Sequence, residues 1–325
     1  MDELLSLVNI RAGKALTTMS RSHIQQLISD IQVRYPRSAL GVEEARAVDP
    51  ERFDALGERL LGWLAVAKGE AGISAAVDSF VRFSTGVNMA QARYEADGHY
   101  ENKTYEECYR SLYNQKEEMD DYLWGIYLTN FLWAHHMEIS LFFQDRFLSK
   151  LPADATLIEL APGHGGWGIW ALDELPGARL FGYDISPSSI AIARSLAEAA
   201  QVENRASYLE KSALDLAGLS PNVADACICS LVVEHLEQPL QLFASIEHLL
   251  TVGGRAFIIG ALTAAQIDHI YEFREESELV RMCEQNGLRV LESLSVGPRR
   301  TLPKARFLPR SMALLVQKRQ PGLLW

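Results

Sequence analysis

From Thr156 the chain runs Leu157-Ile158-Glu159-Leu160, then Ala161-Pro162-Gly163-His164-Gly165-Gly166-Trp167-Gly168, with a second acid at Asp184. The apolar run from Thr156 to Leu160 suits a buried parallel strand. The glycines after it permit a tight turn and a close backbone approach to a ligand. A helix starting near Trp167 points its positive end at that loop. This is the pattern of a nucleoside-binding strand, loop and helix, and it commits the chain to an α/β sheet. On its own, Gly163-x-Gly165-x-x-Gly168 also fits a dinucleotide fingerprint, with Asp184 placed as the ribose ligand. Glu159 argues otherwise. A carboxylate at the mouth of the first strand repels a pyrophosphate but welcomes a cationic or zwitterionic ligand.

S-adenosylmethionine is such a ligand, with an amino group, a sulfonium, a ribose diol, an adenine and no phosphate. The segment resembles the first motif of class I S-adenosylmethionine-dependent methyltransferases. Glu159 stands at the acidic position, Ala161 replaces the first glycine, and Gly163 and Gly165 keep the other two. Three further segments follow in order. Leu180 to Asp184 ends an apolar strand in an acid about 20 residues after the loop; the resemblance implies that Asp184, with Ile185 beside it, holds the ribose hydroxyls. Ser207 to Ala213 resembles the adenine-contacting strand and turn, with Ser212 where an Asp is usual and Ala213 next to it. Ala224 to Leu236 resembles the fourth strand, ending at Ser230, and the Glu234-His235-Leu236 signature of small-molecule members. Leu249 to Ile259 then reads as helix end, glycine turn and fifth strand. The resemblance spans about residues 120 to 319 and implies a doubly wound, mostly parallel seven-stranded Rossmann-like sheet, closed by an antiparallel excursion of about Arg289 to Val296 and Ser311 to Lys318. It also implies S-adenosyl-L-methionine as methyl donor and S-adenosyl-L-homocysteine as product.

The chain has 325 residues, 48% of them hydrophobic, enough for this sheet and a substantial addition. A net charge of −11 and a pI near 5.3 argue against nucleic-acid binding. Arg299, Arg300, Lys304, Arg306 and Arg310 cluster among prolines and read as a solvated connector between the last two strands. Cys108, Cys227, Cys229 and Cys283 form no disulfide framework, and Cys227-x-Cys229 lacks the partners of a zinc site. Asp2 and Glu3 replace the basic start of a signal peptide, and no apolar run is long enough to span a bilayer, so a cytoplasmic protein without a membrane partner is expected.

Before residue 150 the periodicity is helical; after it, strands and helices alternate. The expected organisation is a helical cap at 1–120, a linking aromatic helix at 121–149 and a donor-binding domain at 150–325. The cap offers a surface for the substrate or for a homodimer. Apolar residues open the chain at Leu4 to Ile10 and recur from Ile24 to Ile31, up to Tyr35-Pro36. A helix restarts near Pro50, and another runs from about Ile73 to Val87. Residues 96–102 read as a loop, Thr104 caps a helix to about Met119, and a longer helix from Asp120 or Asp121 reaches about Leu148. That helix is aromatic and lies directly before the first strand. Much of it is core packing, but Tyr122 and Tyr127 are candidates to touch the methionyl end or the acceptor.

Methyl transfer from a sulfonium is a displacement in which in-line positioning supplies much of the rate, and a helical cover that excludes water assists it. A hydroxyl acceptor also benefits from a base. The candidates are His235, His136 or its neighbour His135, and His269 beside Asp268. His164, inside the donor loop, is expected to pack or hydrogen-bond locally. Adjacent His135 and His136 diverge on a helix. His135 and Glu138 share a face, but a metal there needs a third ligand such as His235 or His269, and no metal is expected. The function expected is methylation of a small-molecule acceptor at oxygen or nitrogen in a biosynthetic pathway. A nicotinamide-dependent oxidoreductase and a non-catalytic donor-binding protein are the alternatives.

Overall fold

A computed structural model of the chain describes residues 22–301 and 303–320. The apolar stretch at Leu4 to Ile10 lies outside the described residues. Four helices lead: α1 (His23–Arg34), α2 (Pro36–Arg46), α3 (Pro50–Lys68) and α4 (Glu70–Asp97). The punctuation is local. Pro36 and Pro50 each open a helix where no N–H is needed, and the Asp49 carboxylate accepts from the Arg52 N–H to cap α3. Gly69, at φ +73°, separates α3 from α4, and Gly98, at φ +79°, ends α4 by donating its N–H to the Tyr94 carbonyl.

Helix α4 extends ten residues beyond the expected end at Val87 because its polar C-terminal half has partners. The Gln91 amide donates to the carbonyls of Thr263 and Phe307 and accepts from the Ala265 N–H, while Glu95 accepts from the Phe307 N–H. The next two helical expectations are also corrected. Thr104 and Glu107 form a capping box for α5 (Tyr105–Cys108), which widens into a π turn at Tyr109–Tyr113 and stops. Helix α6 (Lys116–Leu132) then starts before Asp120 and ends at Trp133, whose extended backbone (φ −99°, ψ 127°) separates it from α7 (Ala134–Phe142). The single helix expected to Leu148 is therefore broken. The Asn130 carbonyl, which a continuous helix would have bonded, instead accepts from Ser140 Oγ.

Seven strands follow: β1 (Thr156–Leu160), β2 (Arg179–Asp184), β3 (Ala206–Glu210), β4 (Ala224–Ser230), β5 (Leu250–Leu262), β6 (Leu288–Val296) and β7 (Arg310–Lys318). They form one sheet in the order β3-β2-β1-β4-β5-β7-β6, parallel except for β7, which runs antiparallel to both β5 and β6. Helices α8 (Gly166–Glu174), α9 (Pro187–Ala199), α10 (Leu240–Leu249) and α11 (Glu276–Gln285) complete the layers. The strand order reverses between β1 and β4, so the loops after these two strands part and leave a crevice at their carboxyl ends.

The pleat divides the core. Leu157, Ala226, Ile228, Phe257 and Leu315 face a hydrophobic cluster that continues into α1, α3, α4 and α6, whereas Ile158, Leu160, Cys227, Cys229 and Leu314 face α10 and α11. The leading helices thus share apolar core with one face of the sheet, and Tyr127 Oη donates to the Leu60 carbonyl across that contact. All four cysteines are buried, and Cys227, Cys229 and Cys283 are free thiols. The basic connector is ion-paired: Arg299 with Glu138, Arg300 with Glu44, Arg306 with Glu95 and Arg310 with Glu276. No single helix among the described residues is long and apolar enough to cross a membrane.

Candidate active site

The loop after β1 folds through left-handed backbone at Ala161 (φ +50°), Gly163 (φ +56°) and Gly165 (φ +73°). Glycine accepts this conformation freely, and alanine does so under strain of about 1 kcal/mol. At Gly165 a Cβ would sit 2.8 Å from Ala193 Cβ, and at Gly168 it would collide with the Glu159 carboxylate. The glycines therefore bring α8 and α9 close to the loop, and Gly168 leaves the space that Glu159 fills.

Glu159 is 2% exposed. Its Oε1 accepts from the Gly168 N–H at 3.2 Å, and its Oε2 has no partner. Burial pushes this carboxyl up to about 8, with the nearby Asp184 adding to the effect. Asp184, at the end of β2, accepts from the Gly163 N–H through Oδ2 (3.0 Å) and from the Ser186 N–H through Oδ1 (2.8 Å). Burial raises its carboxyl to about 6 even against those bonds. Asp184 therefore ties the first loop to the second, while the cap of α9 is Ser186, whose Oγ accepts from the Ser189 N–H.

Glu159, Ala161, Gly163, Asp184, Ile185 and Ser230 line one cavity of about 150 Å³ at the crevice. Gly165, Ser212 and Ala213 are not in that lining; Gly165 sits under α9, and Ser212 Oγ accepts from the Leu214 N–H within its own turn. Tyr122 lines the cavity and accepts from Gln266 Nε2 at 3.0 Å. Tyr127 does not. It is fully buried, its hydroxyl bound to Leu60 and its ring against His164, because the helical period turns it toward the core one side round from Tyr122. The His164 ring is held locally, accepting from the Gly166 N–H through Nδ1, and burial pulls it down to about 3.

A second cavity, of about 710 Å³, lies beneath α4, α6 and α7. Tyr122, Ile126, Leu231 and His235 line both cavities. His235 follows β4 in a short 3₁₀ turn; its Nδ1 lies 2.9 Å from the Asp268 carbonyl and 3.4 Å from Asp268 Oδ2. Tyr113 Oη donates to the same carboxylate at 3.1 Å. Burial lowers the His235 imidazole, but the carboxylates of Asp268 and Glu234 outweigh it and leave its pKa raised. His269 packs edge-on against His235, and burial pulls it down to about 4. His136 lines only the larger cavity, with Nδ1 3.0 Å from Thr129 Oγ1 and its pKa well below the ordinary value through burial. His135 stacks on Trp133, and Glu138 pairs with Arg299, so the two do not converge.

Sequence reasoning missed Tyr105, Tyr113, Met119, Asn130 and Gln266, which the helices and the loop after β5 bring to these cavities. Nothing in their spacing marks them, because each arrives by a tertiary contact.

The family described as "Methyltransferase domain" matches residues 158–258, from β1 into β5, and includes Glu159, Asp184 and His235. Residues 158–258 form a class I S-adenosylmethionine-dependent methyltransferase domain. The match sets aside the nicotinamide reading that the glycine spacing alone allowed. Over 84 residues the chain is 33% identical to a ubiquinone biosynthesis O-methyltransferase of Xanthomonas campestris pv. campestris, an alignment covering 25% of this chain and 34% of that protein. The chain spans about a third of the length of the curated relatives it matches. An O-methyltransferase family protein from Burkholderia thailandensis shares the fold, with a TM-score of 0.53 over 77% of this chain and 73% of that one at 14% identity.

Proposed function

We propose that the protein transfers the methyl group of S-adenosylmethionine to a small-molecule acceptor held in the larger cavity, at oxygen or nitrogen, as a step of a biosynthetic pathway. One observation carries the reading: a cavity lined by the motif carboxylates shares Tyr122 and His235 with a second cavity roomy enough for an organic molecule. The unpartnered Oε2 of Glu159 suits a cationic ligand, since a buried acceptor without a donor costs about 1–3 kcal/mol and an ammonium removes that cost. Asp184 keeps lone pairs for a ribose diol beyond the two backbone bonds it accepts.

The donor supplies an activated methyl on a positive sulfur. The chain's own residues bind, shield and orient. Ile126 and Leu231 exclude water where the cavities meet, and Tyr122, fixed by Gln266, borders both. A hydroxyl acceptor would lose its proton near His235, which Asp268 holds in place. The helical segment before residue 120 shapes the acceptor cavity through α4, and the linking helices α6 and α7 wall it.

The test is incubation of the purified protein with isotope-labelled methyl donor and a small-molecule extract, followed by untargeted mass spectrometry. A labelled product that disappears with Asp184→Ala is the expected result. Donor binding without any labelled small molecule would favour the non-catalytic reading, and no donor binding would overturn both.

A further inference from the structure

We infer that Glu234, His235 and His269 form a binding site for a divalent transition-metal ion in the wall of the larger cavity. The inference rests on the acceptor-cavity reading and gives that cavity a chemical class of ligand: a molecule that offers an oxygen to the metal. One potential ligand atom from each of the three residues lies within 4.8 Å of the others. A tetrahedron with bonds of about 2.1 Å has edges of about 3.4 Å, so side-chain adjustment of about 1 Å closes the set.

The carboxylate makes the case independently of that proximity. Glu234 is 0% exposed and neither Oε1 nor Oε2 has a hydrogen-bond partner. The backbone N–H groups of Glu234 and Ala261 face it without a bond of regular geometry. A carboxylate so buried is destabilising by several kcal/mol unless a cation or a proton meets it. The histidines are oriented as ligands are. His269 Nδ1 is 2.7 Å from the Ala264 carbonyl and His235 Nδ1 is 2.9 Å from the Asp268 carbonyl, so each Nδ1 carries the proton and each Nε2 keeps its lone pair. Asp268 Oδ2, 3.4 Å from His235 Nδ1, supplies the carboxylate that commonly stands behind a metal-bound imidazole.

Two imidazoles and one carboxylate favour Zn²⁺, Fe²⁺ or Co²⁺ over Mg²⁺ or Ca²⁺, and three protein ligands leave coordination positions open. All three residues line the larger cavity and His235 also lines the smaller, so an ion held by them would lie at the wall of the proposed acceptor cavity, close to the donor cavity. An acceptor hydroxyl bound there would ionise more readily than in water and give its proton to solvent, and His235, holding the metal through Nε2, would then act through the ion in place of acting as the base. A simple buried ion pair explains less. His235 already has Asp268, and that pairing leaves both oxygens of Glu234 unpartnered.

The experiment is a titration of the full-length, metal-stripped protein with Co²⁺, read by its visible d–d absorption, and with Zn²⁺ in competition. We expect saturable binding of one ion per chain. His269→Ala and Glu234→Gln should each weaken it at least tenfold, while His99→Ala, outside the cluster, should leave it unchanged. No stoichiometric Co²⁺ or Zn²⁺ binding by the folded wild type overturns the proposal, and so does binding that survives intact in both variants. Calorimetry with S-adenosylhomocysteine on the same metal-free samples separates the two readings. Donor-site binding without metal binding removes the metal alone, and loss of both removes the methyltransferase reading as well.

Discussion

Glu159→Gln tests whether the first motif acid meets a cation. In the free protein burial holds the carboxyl near 8, so at pH 7 about nine-tenths of the molecules carry a proton there. Binding a fixed positive charge at Oε2 favours the carboxylate, and the proton leaves. Calorimetry at pH 7 in buffers of different ionisation enthalpy should therefore show release of about 0.9 proton per S-adenosylhomocysteine bound. Affinity should rise almost tenfold from pH 6 to pH 7, where the ligand's amino group remains mostly charged. Ionising the carboxyl at pH 7 costs about 1.4 kcal/mol, and the charge-assisted bond contributes about 1.5–3 kcal/mol. The net gain at pH 7 is thus at most about 1.6 kcal/mol, so Glu159→Gln should weaken binding by about 15-fold or less. The pH slope decides more than the affinity. In the variant it should shrink to the less than twofold rise that Asp184, raised to about 6, contributes over that range, and the proton release at pH 7 should fall to about 0.1. Stability follows the same linkage. An acid whose folded pKa lies above its unfolded value loses stability as pH rises from about 4.5 to about 8, so the unliganded variant should match the wild type near pH 4 and exceed it at pH 8. A wild type that binds the ligand with a flat pH profile and no proton release would refute the reasoning.

Asp184→Ala removes the acceptor for the Gly163 and Ser186 N–H groups as well as the proposed ribose ligand. Donor affinity should fall roughly 30- to 1000-fold by calorimetry, and the melting temperature should drop too, since two backbone donors lose their partner. Ala161→Gly relieves left-handed backbone and should stabilise the protein by up to about 1 kcal/mol in urea unfolding; destabilisation there would mean that the methyl group packs more than it strains. A chain beginning near Asp120 exposes the apolar faces that α3 covers on α6 and α9, so it should aggregate or melt early in light scattering and calorimetry. If the acceptor is a hydroxyl, His235→Asn should reduce turnover by roughly 10²- to 10⁴-fold while donor affinity moves little; near wild-type turnover would remove His235 as the base.

The sheet was legible because each of its signals is local. Thr156 to Leu160, the three loop glycines and the acid that ends β2 lie in short, ordered segments, and the pleat places Cys227 and Cys229 on one face as alternation requires. The helical half was legible only in outline. The polar C-terminal half of α4 is stabilised by Gln91 and Glu95 reaching the loops after β5 and β6, a contact invisible to periodicity. The break at Trp133 has no proline or glycine to announce it; the backbone leaves the helix where Ser140 can take over the freed Asn130 carbonyl. Tyr122 and Tyr127 look equivalent in the sequence, yet one lines the site and the other is core. A helix face is defined only when its neighbours are known.

The two halves of the molecule divide the chemistry. Left-handed backbone outside glycine recurs at the ends of three neighbouring strands: Ala161 after β1, Leu231 after β4 and Thr263 after β5. Such conformations persist only where the surroundings over-determine them. Here the Ala161 N–H donates to the Tyr183 carbonyl, the Leu231 N–H to the Ile259 carbonyl and the Thr263 N–H to the Phe273 carbonyl, each bond tying a strand end to another part of the fold. The strand ends therefore present Glu159, Asp184 and His235 from a rigid edge, which suits a donor of fixed shape. The larger cavity, proposed for the acceptor, adds walls from α4, α6 and α7, which meet the sheet through side chains and loops, with α6 and α7 joined at the Trp133 break. On the proposed function, changes of acceptor size should be accommodated there without moving the edge. Substitutions at Phe83, Trp133 or Gln91 should accordingly shift acceptor selectivity and leave donor affinity within about threefold, whereas a comparable loss of both would mean that the helices hold the donor site in shape.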